Sequence, residues 1–298
     1  MNLLFVMSDI RAVVVTYNSE GTIEGCLEGL MRDRDKGIIS DIVVVDNASC
    51  DRTRSILRSK YSEVKLVEPF KNIGYGSACN LGVKDAKTKY ILFLNPDLVV
   101  PEGAIPKMVS FLDGNPSVAV VGGWLEDEKG IPNYSFRRFP SLSMAFFHRE
   151  SPVRRILSKI GITGGYITHL KPPEKPIEVD WVLGAFMMVR RDIFDEIGGF
   201  DEGFFLYQED VDLCYRLKLM GYSVYHLPDV RITHYFEHST KRRPYLRIIS
   251  KHKSLYRFLK KTNRLIVLDE IFVVPLFVFN LIISLSTELL RFLLSSEE

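Results

Sequence analysis

The chain has 298 residues, of which 46% are hydrophobic and 26% are charged, and its formal net charge is +2. This composition argues against a disordered chain. The net charge is too small to give the strongly positive surface that is typical of nucleic-acid-binding proteins. The four cysteines are widely spaced without a C-x-x-C pair, which predicts reduced, mostly buried thiols rather than disulfides or a zinc site. The length allows one large α/β domain with an appendage, or two modest domains.

Short apolar strands and amphipathic helices alternate along the first hundred residues. The predicted strands cover residues 12–15, 42–45, 64–68 and 90–94, and the predicted helices cover 19–34, 51–61 and a stretch that ends near 87. The run at 42–45 (IVVV) is continuously apolar, as is typical of a strand buried on both faces. The alternation predicts an α/β fold with a Rossmann-like, mostly parallel central sheet flanked by helices.

Polar segments follow all four predicted strands. They comprise residues 16–18, 46–47, 71–72 and 95–97. Because ligands of open α/β sheets bind beyond the carboxyl ends of the strands, we expect these segments to line one crevice. Farther along, residues 141–176 are rich in Gly, Pro and Ser and predict a lid-like insertion, whereas the apolar run 179–189 leads toward a helix near Glu209.

Asp46 ends the second predicted strand and allows two interpretations. Its carboxylate can accept a hydrogen bond from the N–H of a uracil or thymine ring or from a ribose hydroxyl. It can equally cap the following helix, because Asp often accepts the unpaired N–H groups of a helix start. The later segment 72–79 (NIGYGSAC) disfavours NAD binding, since Cys79 replaces the third glycine of a dinucleotide fingerprint and no acidic ribose-binding residue follows at the expected distance.

Asp97 and two histidines suggest metal chemistry. A divalent cation between a carboxylate and a bound diphosphate would remove their repulsion, so Asp97 suits Mn²⁺ or Mg²⁺, although Asn-Pro-Asp at 95–97 is also typical of a turn. His234 and His238 suit a metal such as Mn²⁺ or, equally, a surface or interface position.

Glu209 and Asp210 begin a predicted helix shortly after Phe204 and Phe205. Asp210 therefore suits a general base that takes a proton from an acceptor hydroxyl, beside aromatic rings on which a sugar can stack. Helix capping remains the alternative, because carboxylates favour helix N-termini, and the helix dipole is expected to keep the pKa of Asp210 low.

Six motifs in order resemble those of family 2 glycosyltransferases. They are VVVTYN at 13–18, VVDNAS at 44–49, NIG to NLG at 72–82, LNPD at 94–97, WVLGA at 181–185 and ED at 209–210. The resemblance covers about residues 10–240, and within the family the chain most resembles the bacterial and archaeal rhamnosyltransferase-like branch. It implies a single GT-A domain and an inverting, single-displacement sugar transfer.

The resemblance also implies roles for individual residues. The implied donor-binding positions are Thr16, Tyr17, Asn18, Glu20, Asp46, Asn72, Gly74, Asn95 and Asp97. The positions implied to face the acceptor or the transferred sugar are Trp181, Gly184 and Glu209. Asp210 takes the place of the general base, and Asp97 with His234 takes the place of the ligands to a Mn²⁺ or Mg²⁺ cofactor.

Two features qualify the resemblance. Asn95 replaces the first acid of the family's D-x-D motif, which predicts weaker metal affinity, and the sequence lacks the Q-x-x-R-W signature of processive synthases. We therefore expect the addition of one sugar or few. The expected donor is a dTDP- or UDP-linked sugar, with rhamnose favoured by the resemblance, and the expected acceptor is a hydroxyl of a cell-surface glycan or a lipid-linked precursor.

Two other functions are consistent with an α/β sheet. A nucleotidyltransferase is expected to carry a Gly-rich, basic phosphate loop after the first strand, but residues 16–20 (TYNSE) contain no basic side chain. A non-catalytic nucleotide-sugar-binding scaffold would tolerate the loss of Asp97 and Asp210, and both are present.

The composition changes at Lys241, which places a predicted boundary between a GT-A domain at 1–240 and a helical tail at 241–298. Basic and apolar residues are interleaved from 241 to 264, the pattern of an amphipathic helix on an anionic membrane surface. The uncharged run 271–287 suits an interfacial or oligomerising helix, a core-packing helix or a membrane span. We expect a cytoplasmic protein at the inner face of the cell membrane.

Overall fold

The computed structural model describes residues 9–133, 135–140, 172–235 and 244–262, together with the helical positions 275, 278, 279, 281–286 and 289. The chain divides into two compact units. The first comprises Met1–Arg138, Thr168–Phe205 and Glu209–Ser239, and the second comprises Phe139–Ile167, Leu206–Gln208 and Thr240–Glu298. Most of the predicted insertion at 141–176, about half of the run 271–287, and His238 lie outside the described residues.

The first hundred residues fold as predicted, into parallel strands joined by helices. Their elements are β1 (Ile10–Thr16), α1 (Ile23–Asp35), β2 (Asp41–Asp46), α2 (Thr53–Lys60), β3 (Lys65–Val67), α3 (Tyr75–Val83), β4 (Tyr90–Leu94) and β5 (Leu98–Val99). β1 pairs in parallel with β2 and β4, and β2 pairs in parallel with β3. Because these strands are parallel, β1 to β4 all end at the same edge of the sheet. The polar segments that follow them therefore lie at that edge, as predicted.

The remaining elements of the first unit extend the sheet with mixed pairing. They are α4 (Ala104–Gly114), β6 (Val118–Glu126), β7 (Pro132–Asn133), β8 (Phe136–Arg137), β9 (Ile177–Glu178), β10 (Trp181–Val182), β11 (Phe186–Arg190), α5 (Arg191–Glu196), α6 (Glu209–Leu219) and β12 (Ser223–His234). The main sheet runs in the order β3-β2-β1-β4-β11-β6-β12-β5, and β11 is antiparallel to both of its neighbours.

The apolar run at 179–189 forms two strands instead of one continuous element. β10 pairs with β8 in a separate two-stranded sheet, whereas β11 enters the main sheet beside β4. Between the two strands, the N–H of Gly184 donates to the side chain of Asp210 instead of to a strand partner. A hydrogen bond to a distant carboxylate thus accompanies the break in the run, and hydrophobicity alone does not predict it.

The core lies between the central strands and the helices that cover them. On α1, Ile23, Cys26, Leu27 and Leu30 are fully buried at the helical spacing expected from the sequence. On the other face, α3 approaches β1 so closely that a Cβ on Gly82 would lie 2.4 Å from a methyl carbon of Val13. Three cysteines are buried, Cys50 is exposed, and all four are free, as predicted.

The second unit contains α7 (Pro244–Lys261), the helix expected from the basic and apolar pattern of the tail. Ile248, Phe258 and Leu259 are buried in it, whereas Leu246 is 54% exposed. Phe258 stacks on Phe139 with ring centroids 6.4 Å apart. Within the part of the chain that the structure describes, no helix is both long enough and apolar enough to cross a membrane.

Candidate active site

Asp46, at the end of β2, is fully buried and held by two donors. Its Oδ1 atom accepts the N–H of Ser49 and the Nε–H of Arg54, each at 2.8 Å. Its Oδ2 atom is buried and has no hydrogen-bond partner among the described residues. The helix-cap interpretation is wrong for Asp46, because it is Asp51 that accepts the N–H of Thr53 at the start of α2, at 3.0 Å.

The loop after β1 is tied to the loop after β2. Asn18, in a left-handed conformation with φ 54°, donates its N–H to Ser49 Oγ and accepts the N–H of Cys50, both at 2.8 Å. Glu20 accepts the N–H of Arg52 at 3.0 Å, and hydrogen bonds from Arg52 lower the pKa of Glu20. The bonds hold the two loops as one surface at the carboxyl ends of β1 and β2. The remaining predicted donor-binding residues of this segment are the buried Thr16 and the half-buried Tyr17.

A third loop, at 72–74, is held by a residue that was not among the predicted site residues. Asn47 accepts the N–H of Ile73 at 2.8 Å and donates from Nδ2 to the carbonyl of Gly74 at 3.1 Å. Asn72 closes the loop by accepting the N–H of Gly74 at 3.0 Å. Gly74 has φ 89°, and a Cβ there would lie 2.4 Å from the carbonyl oxygen of Phe205, so this position requires glycine. The only sequence signal for Asn47 was its place beside Asp46 after a buried strand.

Asp97 and His234, the two predicted metal ligands, lie together. The Oδ1 of Asp97 is 3.1 Å from the Nε2 of His234, although the residues are 137 positions apart in the chain. The contact is set by the backbone, because β12 pairs with β5 and the N–H of Tyr235 donates to the carbonyl of Asp97 at 2.9 Å. Pro96 and Asp97 also form the turn that the sequence allowed as the alternative, so the turn presents the carboxylate.

Asn95 joins this pair to the next cluster through the backbone. Its N–H donates to the carbonyl of Ala185 at 2.9 Å, and its carbonyl accepts a weak bond from the Cys26 thiol at 3.5 Å. Burial, together with the negative charge of Asp97, raises the pKa of Cys26 to about 12, so this thiol stays protonated. The residues that the structure describes contain no group of three or more His, Cys, Asp or Glu side chains arranged to hold a metal.

Asp210 lies at the first turn of α6 with both oxygens engaged. Oδ2 accepts the N–H of Gly184 and Oδ1 accepts the N–H of Val211, each at 2.8 Å. A Cβ on Gly184 would lie only 3.1 Å from the Cβ of Asp210, so a larger residue would push against the carboxylate. Helix capping accounts for the bond from Val211 alone, whereas the bond from Gly184 crosses from another element.

The two adjacent carboxyl groups of Glu209 and Asp210 are both buried, and burial raises the pKa of each. The negative charge of Asp210 raises the pKa of Glu209 further, while the N–H groups of Gly184 and Val211 oppose the rise at Asp210. The expectation of a low pKa for Asp210 is therefore wrong, because the loss of solvation outweighs the helix dipole and the N–H donors. The Oε2 of Glu209 is buried without a hydrogen-bond partner among the described residues.

The aromatic residues near this pair differ in what they can offer a ligand. Phe204 is fully buried and belongs to the core, which corrects the prediction that it stacks on a sugar, whereas Phe205 is 51% exposed. Trp181 is mostly buried, and its indole N–H donates to the carbonyl of Arg138 at 3.0 Å. Tyr75, which sequence reasoning did not single out, donates its hydroxyl to the carbonyl of Gly184 at 2.7 Å.

Comparison with known proteins identifies the family of the chain. The family model described as "Glycosyl transferase family 2" matches residues 12–198, and one described as "N-terminal domain of galactosyltransferase" matches residues 166–241. The N-acetylglucosaminyl-diphospho-decaprenol L-rhamnosyltransferase of Mycobacterium tuberculosis is 30% identical over 270 residues, which cover 85% of each chain. Rhamnosyltransferase WbbL of Escherichia coli is 29% identical over 244 residues, 78% of this chain and 85% of that protein.

Among solved structures, the fold is similar to that of the mannosyltransferase PcManGT from Pyrobaculum calidifontis in complex with GDP-Man and Mn²⁺. The TM-score is 0.57 at 20% identity, and the match covers 86% of this chain and 64% of that one. The predicted GT-A fold is thereby confirmed. Because the family model spans most of the chain and a 30% identical relative is matched over nearly its whole length, the protein belongs to glycosyl transferase family 2 and is a glycosyltransferase related to rhamnosyltransferases.

Proposed function

We propose that the protein transfers one sugar, with rhamnose as the favoured sugar, from a dTDP- or UDP-linked donor to a hydroxyl of a cell-surface glycan or lipid-linked precursor, inverting the anomeric centre. The names of the two sequence relatives support the choice of sugar, and the name of the mycobacterial relative supports a polyprenyl-diphosphate-linked acceptor. The sequence contains no Q-x-x-R-W signature, in keeping with non-processive addition.

The meeting of Asp97 and His234 at 3.1 Å is the observation that carries the proposal. A carboxylate oxygen suits both Mn²⁺ and Mg²⁺, whereas an imidazole nitrogen suits Mn²⁺ better than Mg²⁺. Such cations are commonly held by few protein ligands together with substrate phosphates. These two residues would hold the cofactor. When bound, the cation stabilises the charge that develops on the leaving nucleoside diphosphate.

The donor and acceptor residues keep the roles that the resemblance implied. Asp46 would accept a hydrogen bond from the nucleobase, and the joined loops at 16–20 and 72–74 would form the walls of the nucleotide pocket. Trp181, Gly184 and Glu209 would face the acceptor or the transferred sugar. The exposed ring of Phe205 gives this region an apolar surface.

Asp210 would act as the general base. The acceptor oxygen forms a bond to the anomeric carbon while its proton passes to the Asp210 carboxylate. The bond from the anomeric carbon to the phosphate oxygen breaks, and the nucleoside diphosphate leaves with the electron pair. Because attack and departure take place on opposite faces, no covalent enzyme intermediate forms and one catalytic carboxylate is enough, unlike the paired carboxylates of glycosidases.

We further propose that the tail beyond residue 240 binds the cytoplasmic membrane surface at its inner face, where a lipid-linked acceptor is presented. On α7, the exposed Tyr245 and Leu246 are accompanied by basic residues such as Lys253 and Arg257, a composition that suits anionic lipid. Co-sedimentation with anionic vesicles tests the proposal. Loss of pelleting on deletion of residues 241–298 supports it, and unchanged pelleting or a shift to a stable homo-oligomer without lipid binding contradicts it.

The donor site is tested by thermal shift with UDP, dTDP, GDP and CDP, each with and without Mn²⁺. A ligand at about a hundred times its Kd stabilises the folded state by roughly 2.7 kcal/mol, which is readily detected. We expect a metal-dependent shift with UDP or dTDP that Asp97→Asn abolishes. Asp229→Asn is the matched control, because Asp229 is exposed on β12. The absence of a nucleotide-dependent shift in the wild-type protein would contradict the proposed donor site.

A further inference from the structure

Tyr75 connects the donor loop to the strand end that contacts Asp210. It is the first residue of α3 and directly follows Gly74 in the loop at 72–74. Its N–H donates to the carbonyl of Phe205 at 3.0 Å, and its hydroxyl donates to the carbonyl of Gly184 at 2.7 Å, 109 positions away in the chain. One residue thus contacts the backbone of Phe205 and the backbone of Gly184, and Gly184 in turn donates to Asp210.

The backbone N–H and the carbonyl of Gly184 both form hydrogen bonds. Its carbonyl accepts the Tyr75 hydroxyl, and its N–H donates to Oδ2 of Asp210 at 2.8 Å. The contact with Asp210 is close, since a Cβ on Gly184 would lie 3.1 Å from the Cβ of Asp210 and 3.4 Å from its Oδ2. A small rotation of the Gly184 backbone would therefore be transmitted directly to the carboxylate.

We propose that Tyr75 is a positioning residue for the transfer reaction, whose hydroxyl fixes Gly184 so that the Gly184 N–H keeps the Asp210 carboxylate in its reactive orientation. The inference rests on the proposed role of Asp210 as general base. Because Tyr75 directly follows Gly74 in the chain, one residue links the loop assigned to the donor, through Gly184, to the base assigned to the acceptor.

The physical consequence of losing the hydroxyl is a misplaced base. Phenylalanine retains the ring and its packing, but it leaves the Gly184 carbonyl without its donor. Catalysis depends steeply on the alignment of reacting groups, and a displacement of about 1 Å can cost roughly a hundredfold in rate. Donor binding depends on the loop backbone, which Tyr75→Phe leaves unchanged.

The test compares the Tyr75→Phe, Tyr61→Phe and Asp210→Asn variants of the full-length protein. Tyr61 is the matched control, because its hydroxyl also points to a backbone carbonyl, that of Glu24 at 3.5 Å, outside the site. The assay measures kcat and the donor KM for transfer from dTDP-rhamnose to N-acetylglucosaminyl-diphospho-polyprenol. We expect Tyr75→Phe to lower kcat roughly ten- to a hundredfold with the donor KM changed less than threefold, and Tyr61→Phe to match the wild type.

The outcomes separate the inference from the function on which it rests. If Asp210→Asn abolishes transfer and Tyr75→Phe keeps the wild-type kcat, the inference is overturned and the base assignment stands. If Asp210→Asn keeps its activity, or the wild-type protein transfers no sugar from this donor, the proposed function fails first. A fall in melting temperature of Tyr75→Phe without a fall in kcat, measured well below that temperature, assigns the hydroxyl a purely structural role and also overturns the inference.

The pH profile is a second readout that a purely structural role would not move. The charged or titratable groups that act on Asp210 are Glu209 and Cys214 on α6, Tyr75 and Cys79 on α3, and Arg137 on β8. Loosening the bond from Gly184 removes a donor that favours the ionised carboxylate. The acid limb of the kcat profile of Tyr75→Phe should therefore move to higher pH, and an unmoved limb counts against the inference.

Discussion

The site contains two regions of buried acid whose neighbours differ. At the end of β2, the Asp46 carboxylate accepts bonds from the Arg54 guanidinium and from a backbone N–H, so its negative charge is matched by a cation. At the start of α6, Glu209 and Asp210 lie next to each other and accept backbone N–H groups, and burial raises the pKa of both. The first region is built to hold a charge and the second to take up a proton.

The difference teaches how one fold assigns binding and catalysis to the same kind of side chain. A buried carboxylate paired with a guanidinium is a fixed hydrogen-bond acceptor, which suits recognition of a ligand N–H or O–H. A buried carboxylate whose pKa is raised by desolvation binds a proton more readily, which suits a general base. Each region therefore predicts a different response to mutation and to pH.

The largest effect is expected at Asp210, where a substitution should lower the rate of sugar transfer without changing donor affinity. Asp210→Asn keeps the shape of the side chain and removes the base, so kcat for sugar transfer should fall by about a hundredfold to ten-thousandfold. Donor affinity, measured by calorimetry, should stay within twofold of the wild-type value. Asp195→Asn on α5 is the matched control, since Asp195 forms an exposed ion pair with Arg191. If donor affinity fell as much as kcat, the Asp210 region would serve binding as well as catalysis, and the proposed division between the two regions would be wrong.

The opposite pattern is expected at Arg54. Arg54→Ala leaves the buried Asp46 charge without its cation, so the Asp46 loop should rearrange and the affinity for the donor nucleotide should fall about tenfold, with kcat at saturating donor changed little. Arg58→Ala, on the same helix and paired with the exposed Glu68, is the matched control. Isothermal titration with the donor nucleotide measures the change. Equal affinities for Arg54→Ala and Arg58→Ala would show that the ion pair has no part in donor binding.

The dependence of kcat on pH should show the raised pKa of Asp210. A general base works when it is deprotonated, so activity is lost as the pH falls through its pKa. Burial raises the pKa of Asp210 above 3.8, and the acid limb of the kcat profile should therefore lie above the pH at which an ordinary aspartate would titrate. Rate measurements from about pH 3 to about pH 8 test this. An acid limb at or below 3.8 would contradict the proposed surroundings of the base.

The smallest effect is expected in stability, at Glu209. Because folding raises its pKa, Glu209 contributes stability when it is protonated, below its ordinary value of 4.5, and this contribution is lost as the pH rises through the folded-state pKa. Glu209→Gln should therefore raise the melting temperature at pH 8, by about 2–4 °C for each kcal/mol gained, and by less at pH 5. Glu202→Gln is an exposed control. A gain that is equal at both pH values would contradict the buried-charge explanation.

The comparison also shows which parts of the site the sequence predicts. The strands β1, β2 and β4 are visible as apolar runs followed by polar residues, because strands buried on both faces need uninterrupted hydrophobic segments. The sequence also predicts Asp46, Asp97 and Asp210 as site residues, because they lie directly after such strands or at the start of a helix. The break between β10 and β11 does not follow, because the hydrogen bond between Gly184 and Asp210 that accompanies it joins residues 26 positions apart.

The supporting residues escaped prediction for the same reason. Asn47 lies in a loop and Arg54 in the first turn of the helix that follows, as in many loop-to-helix segments, and Tyr75 looks like an ordinary helix residue. Their importance comes from the partners they meet: the backbone of residues 73–74 for Asn47, the Asp46 carboxylate for Arg54, and the Gly184 carbonyl for Tyr75. Partners that are distant in the chain leave no local pattern of polarity or spacing.

The sequence by itself determined the fold class, the order of the strands and helices in the first hundred residues, and the motifs that carry the family. Hydrophobic periodicity and strand-end polarity are local properties, so they can be read along the chain. The tertiary structure alone decided that the Asp46 charge is paired and that burial raises the pKa of Asp210 against the helix dipole. Solvation and charge pairing depend on every neighbour in space, and only folding brings those neighbours together.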